Sequence, residues 1–394
     1  MSCDATIGRL HAIGLGKETT RGMAEAATVW IPKQGGALNP TFEKAVDNSA
    51  YGVIDEVFDS QTVKDMSMLS LEGVLRDSWL GNLLLGALGS EAFCQTITLT
   101  SISGGTPARG DSVSSSSSSF SGTIEKIIDI DGTDHYFVSS TSGALAGAET
   151  DFTDGTWTAT VALLSNTHGH MFKRQNDNCH PSFTVYAYDD IGSYRAPYMM
   201  IDTFSIEFAV GDFGKFTTEM MGQKLETTSA QTPTYDTGTP FMAKHAAFKI
   251  ADDEAGLNAA SAVEVTNFGL EIAKNLVDVQ AFGDTGIADI YNQNFNVSGT
   301  LEAIYKDTTF QGYVSGSTKK AARLQAINTD ATVLDTGIYP SIYIDMARLS
   351  FEEFERSGDN DALTTQSLAF SGEFSTNEAM TMEVLLINDV SAAY

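Results

Sequence analysis

LSLEGVLRDSWLGNLLLGALG (residues 69–89) places two hydrophobic rhythms side by side. In its first half Leu71 and Leu75 flank Gly73 at two-residue steps, the spacing of a strand with one apolar face. From about Ser78 to Leu88 the rhythm becomes helical. Trp79, Leu80, Leu83, Leu84 and Leu88 form one apolar stripe, Asp77 or Ser78 can cap it, and Gly89 can end it. A strand running straight into a short flanking helix is therefore the expected unit.

Most other segments read as strands. TFSIEFAV (203–210) alternates, with Phe204, Ile206, Phe208 and Val210 on one face. IEKIIDIDGTDHYFVSS (124–140) reads as a hairpin about Asp131-Gly132, a pair suited to a primed turn. Residues 182–188, 340–351 and 380–388 are further strands. SVSSSSSSFSG (112–122) is low in complexity and reads as a flexible loop.

The stretch around Gly73 also has an echo. FNVSGTLEA (295–303) carries Val297 and Leu301 about Gly299, and a short helix is expected after Asp307 as after Asp77. Upstream, NPTFEKAV (39–46) parallels FGLEIAKNL (268–276), and TVWIPK (28–33) parallels AFKIAD (247–252). Downstream, Ile201-Asp202 matches Ile344-Asp345, and Gly211-Asp212 matches Gly358-Asp359. The step from Gly73 to Ile201 is 83 residues longer than that from Gly299 to Ile344. This predicts two tandem strand-rich domains, the first interrupted: 1–95 with 179–238, then 239–394. Residues 96–178 are expected to form a small β insertion domain.

The chain has 394 residues, 42% hydrophobic and 10% aromatic, enough for a sizeable core. It lacks an apolar run long enough for a membrane span and a basic, apolar start of the secretory type, so cytoplasmic synthesis is expected. Cys3, Cys94 and Cys179 are too few and scattered for a disulfide framework. With 23 Lys and Arg against 51 Asp and Glu, the net charge is −28. Tight nucleic-acid binding through phosphate neutralisation is excluded as an average property. The same charge suits solubility, or a surface that must face DNA without holding it.

Chemical motifs fail on inspection. GLGKETTRGMAEAA (14–27) suggests a phosphate loop, but His11 stands where that loop needs its first glycine and Glu18 where it needs Ser or Thr. DIDGTD (129–134) has its glycine at the fourth position and Ser140 at the twelfth, unlike a calcium loop. His168, His170, Cys179 and His180 are the best metal candidates. On a strand, however, Cys179 and His180 point opposite ways, and a polar loop returning from the insertion is the better reading. Arg109-Gly110-Asp111 is an integrin-like tripeptide in a Ser-rich context that gives it no role. There is no nucleophile elbow, and no carboxylate pair stands out among the acids. No catalytic, cofactor or metal site is expected.

Four pieces together are similar to the tail tube proteins of long, non-contractile bacteriophage tails: residues 14–33, 69–89, 204–224, and 268–276 with 294–305. The resemblance implies a β-sandwich-like or barrel tube domain with a flanking helix. Such domains close into rings, and stacked rings form the channel through which DNA leaves the head. It implies a virion tail component assembled in the host cytoplasm, with tail terminator, tape measure and distal tail proteins as partners. DNA would pass without specific binding. The opening stretch would be an N-terminal arm and first strand joining neighbours. Two domains per chain would give a pseudo-hexameric ring of three copies; a true hexamer is the alternative. Inter-ring contacts are expected in 47–65 and 277–294, carrying Asp47, Tyr51, Asp55, Glu56, Asp59, Asp65, Asp278, Asp284 and Asp289, unless these are ordinary surface loops. An Hcp-type secretion tube or a β-rich adhesin or decoration protein are the competing classes.

Overall fold

The computed structural model describes residues 7–189, 191–236, 238–335, 337–358 and 363–394. Cys3 and Asp359 lie outside them. The chain opens with β1 (Ala12–Lys17), β2 (Val29–Ile31), β3 (Gly35–Asp47) and β4 (Asp59–Val74), then helix α1 (Asp77–Leu88). It leaves on β5 (Gly89–Ser103) and builds β6 (Ser112–Ser115), β7 (Phe120–Ile130), β8 (Thr133–Ser142) and β9 (Phe152–Thr153). It returns on β10 (Thr158–Arg174), followed by β11 (Phe183–Tyr188), β12 (Ser193–Ala209), β13 (Lys215–Gly222) and β14 (Glu226–Thr227). The second half runs through β15 (Ala246–Ala251), β16 (Ala262–Val263) and β17 (Val265–Ala273), then the separate hairpin of β18 (Leu276–Gln280) and β19 (Ile287–Asn292). It ends with β20 (Asn296–Ile304), α2 (Thr309–Ser315), β21 (Lys319–Ile327), β22 (Ser341–Arg356), β23 (Thr365–Gly372) and β24 (Met382–Asn388). The fold is mainly β.

Both halves are wired alike. In the first, β2 pairs β1, β1 pairs β11, β11 pairs β12, β12 pairs β13, β13 pairs β4 and β4 pairs β3. In the second, the same antiparallel sequence reads β16, β15, β21, β22, β23, β20, β17. β14 and β24 then occupy matching places along β12 and β22. A helix follows β4 in one half and β20 in the other.

Gly73 faces Phe216, and Gly299 faces Phe370. At each glycine an added Cβ would strike that ring, at 2.8 Å and 2.4 Å. These twins fix the correspondence and correct two sequence matches. The strand matching AFKIAD is β1, whereas TVWIPK holds β2, whose counterpart is β16. From the same ladder Ile206 corresponds to Phe351, since each faces one of the twin phenylalanines. Ile201-Asp202 and Ile344-Asp345 therefore stand about two positions out of register. Alternating sequence is too repetitive to fix register by itself.

The halves meet where β12 pairs β17, from Thr203↔Ala273 to Ala209↔Asn267. This joins eight strands in the order β3, β4, β13, β12, β17, β20, β23, β22. One face is apolar and buried: Leu69, Leu71, Phe204, Ile206, Phe208, Phe216, Leu270, Leu301, Leu349 and Phe370 belong to a single core. Val210 does not join that row; it lies past the end of β12 and is exposed. The α1 helix packs in the same core, and Trp79, Leu80, Leu83, Leu84 and Leu88 are all buried. It is buried all round rather than along one stripe, because Gly81 and Gly86 let Tyr394 and Phe183 approach closely. Gly89 ends it at φ +98, left-handed. Asp77 and Ser78 lie inside the helix, with Arg76 at the cap position and no side-chain cap.

The strands β5 to β10 form an excursion carrying its own core around Ile97, Phe120, Phe152 and Trp157. The hairpin of β7 and β8 turns at Asp131 (φ 52) and Gly132 (φ 79), as the primed turn requires. The Ser-rich stretch is not a loose loop. Ser112–Ser115 is β6, and the hydroxyls of Ser115, Ser116 and Ser117 donate to Asp151.

Candidate assembly surfaces

In the opening stretch a carboxylate occupies the place where a phosphate loop carries Ser or Thr. The Glu18 carboxylate is buried and accepts hydrogen bonds from Ser182 Oγ (2.6 Å), Thr184 Oγ1 (2.9 Å) and the amides of Gly22 and Tyr198 (2.8 Å each). Its β1 strand pairs within its own chain, to β11 and β2.

The candidate histidines differ in their surroundings: His168 sits on β10 with its Nδ1 buried and unpartnered among the described residues. His170 is buried between Glu91 (2.7 Å) and the Val390 carbonyl (3.0 Å). His180 bonds the Gln175 carbonyl, and burial pushes its pKa down to about 4. Cys179 is exposed. Among the described residues the one metal-like grouping is Glu254, Asp345 and Glu383, and the Lys126 ammonium contacts all three. Arg109 is partly exposed, and its guanidinium is engaged by Glu254 and Glu383 rather than free as an integrin motif would need.

The molecule presents three kinds of surface feature. The first is edge. β3 is paired only by β4 among the described residues. β22 is flanked by β21 as far as Leu349 and Ser350 and by β23 from Leu349 to Arg356, which among the described residues leaves its far edge open from Phe351 onward. Unpaired sheet edges template pairing with another chain.

The second is the outer face of the eight-stranded sheet. One register row reads Gly35, Glu72, Thr217, Ser205, Glu271, Ser298, Ser371, Ser350. From β4 to β23 this face carries Glu72, Glu219, Glu207, Glu271 and Glu302. Its one cation there among the described residues is Lys215, ion-paired to Asp212 at 2.5 Å. Small polar residues and glutamates make a smooth anionic sheet. The alternation was readable from sequence, but not which half of it faced out.

The third is the hairpin of β3 and β4. β13 reaches β4 only as far as Ser67, so residues 59–66 have β3 as their sole ladder partner. Hydrogen bonds from Ser49, Gln61 and the Gly286 amide hold Asp47, Asp59 and Asp284 below the usual carboxylate range; Asp47 and Asp284 shape turns, and Asp59 bonds its own strand. Asp278 pairs with Lys64 (2.9 Å), the Asp65 amide donates to the Thr285 carbonyl, and Asp289 accepts from the Tyr198 hydroxyl. These three tie the hairpin of β18 and β19 down onto β4 and β12. Asp55 and Glu56 are exposed at the tip, where Tyr51 stacks on Phe58 with centroids 4.0 Å apart. The sequence reading passed over the apolar residues here: Ile54 and Phe282 are fully exposed, and Val53 and Val57 more than half so. Val53, Ile54 and Val57 lie on the tip between β3 and β4, and Phe282 on the turn between β18 and β19.

No helix among the described residues is long and apolar enough to cross a membrane. No curated protein sequence matches the chain. The sequence profile described as phage tail tube protein matches residues 8–372, spanning both halves and the excursion, and the chain belongs to that family of structural tail proteins.

Proposed function

We propose that three copies of this chain close into a pseudo-hexameric ring, that rings stack into the tail tube, and that DNA passes along the glutamate-lined sheet. The observation that carries this is the repeated wiring with its internal seam. β12 of the first half pairs β17 of the second, and β22, the counterpart of β12, has an open edge matching that of β3, the counterpart of β17. Repeating the internal operation places β22 against β3 of the next copy and removes both edges when the ring closes.

The register follows from the twin glycines. Gly299 faces Leu270 on one side, and the β3–β4 register, continued one step past Gly35↔Glu72, sets Gly73 opposite Gln34. The seam pair Glu207↔Gly269 translates to Glu353 opposite Lys33 of the partner subunit, a favourable cross-strand pair. In this reading the tube modules are residues 12–88 with 183–227, and 246–388. The insertion spans 89–182, its stalk strands β5 and β10 included. The glutamate face becomes the lumen wall, where phosphates meet like charge and release no counterions on contact. The hairpin tip, led by Ile54 and Val57, reaches the neighbouring ring. Assembly takes place in the host cytoplasm, with terminator, tape measure and distal tail proteins at the tube ends.

Introducing cysteines at Glu353 and Lys33 tests the ring directly, because facing strand residues lie within disulfide reach. Oxidised tubes should run on denaturing gels as a series ending at three linked chains. A series continuing to six means a hexamer. Tubes that form but do not crosslink refute the register. Ile54→Ser should leave rings intact in electron micrographs and shorten the stacks.

A further inference from the structure

A cluster of six charged side chains lies between the insertion and the second half, outside every surface described above. Two come from the insertion: Arg109, between β5 and β6, and Lys126 on β7. Four come from the second half: Glu254, Arg323 on β21, Asp345 on β22 and Glu383 on β24. Lys126 Nζ contacts Glu254 and lies 2.5 Å from both Asp345 Oδ2 and Glu383 Oε1. The Arg109 guanidinium spans Glu254 and Glu383, at 2.5 Å each. Arg323 grips Asp345 with two bonds (2.6 and 2.8 Å) and donates to Asn258 Oδ1, whose amide reaches the Ile127 carbonyl of the insertion. The Lys126 side chain is 3% exposed, and those of Asp345 and Glu383 are 1%.

Three cations meet three carboxylates, so the cluster is neutral. Buried ions lose their hydration, and well-packed apolar groups of the same volume are often as stabilising or more so. What charges add is direction: each guanidinium and carboxylate satisfies its partners in one pose only. The neighbouring apolar contact lacks that discrimination. There Cys94, Ile128, Phe137 and Met171 of the insertion pack on Ile338, Tyr343, Leu385 and Ile387. β10 also pairs β24.

We propose that the insertion is an internal brace: it leaves the chain from the first half and is locked onto the second by this charge cluster, which fixes one angle between the two halves. Given the ring reading above, that angle sets the curvature each chain contributes. The brace itself needs no ring.

Hydrogen exchange on the intact, unassembled chain tests it. Lys126→Met should raise exchange at least tenfold in β6–β9 and in 252–258, leaving β4, β12 and β13 protected. Lys126→Met with Glu383→Gln, which restores neutrality, should recover most of that protection. Arg109→Gln, at the half-exposed rim, should loosen the same segments by a smaller factor and serves if Lys126→Met does not fold. Unchanged exchange in the folded variants overturns the proposal. So does equal loosening of β12 and β13, which would make the cluster part of a common core. Neither result depends on whether rings form.

Discussion

The twin glycines make a comparative prediction. At Gly299 an added Cβ would lie 2.2 Å from the Gly269 carbonyl oxygen and 2.4 Å from Phe370 Cζ. The ring can tilt, but the carbonyl belongs to β17, which is hydrogen-bonded on both edges. At Gly73 the obstacles are Phe216 Cε1 at 2.8 Å and the Pro32 carbonyl at 3.0 Å, both less severe. Overpacking costs about 1–3 kcal/mol, so Gly299→Ala belongs at or above ~3 kcal/mol and Gly73→Ala near ~1 kcal/mol. With an unfolding entropy of about 2 cal/mol/K per residue, ~3 kcal/mol lowers the melting temperature by roughly 4 °C if the chain unfolds as a unit, and ~1 kcal/mol by about 1 °C. Scanning fluorimetry of the two variants reads this. A shift below about 1 °C for Gly299→Ala, or a larger loss for Gly73→Ala, refutes the reasoning.

Two further predictions concern the helix and its surroundings. Lys274 is buried and donates to the Gly86 carbonyl (2.7 Å), and burial pushes its pKa down to about 7. Between about pH 7 and 10 the unfolded chain holds more protons at this group, so its contribution to stability increases as pH rises and is lost as pH falls toward 7. Urea titrations across that range should show the rise in the wild type and lose it in Lys274→Met; identical slopes would refute it. Trp79 is buried against Phe216 (4.9 Å), and its indole Nε1 has no hydrogen-bond partner among the described residues. Trp79→Ala should cost about 3–5 kcal/mol in urea unfolding, and Trp79→Phe markedly less; equal losses would mean the indole nitrogen does matter.

Local patterns carried much of this fold. The alternation in 203–208, the Asp-Gly turn and the glycine that ends α1 are decided by residues next to one another. Other features are decided at a distance. The Ser-rich strand is ordered by Asp151, more than thirty residues on, and Lys126 meets partners 128 and 257 residues away. The acidic spans at 47–65 and 277–294 were visible, but sequence did not separate Asp278, which pairs with Lys64, from Ile54, which is exposed between β3 and β4. Side-chain direction flips with each residue along a strand, so identity alone cannot assign it.

The unequal hairpins have a geometric outcome. In the first half the strands run on to an outstretched tip, whereas the second half folds its hairpin of β18 and β19 back onto β4. In the proposed ring of three chains this would give three long teeth where sixfold symmetry would give six. Successive rings would then mesh at intervals of one third of a turn, and a stack would keep its rotational phase along its whole length.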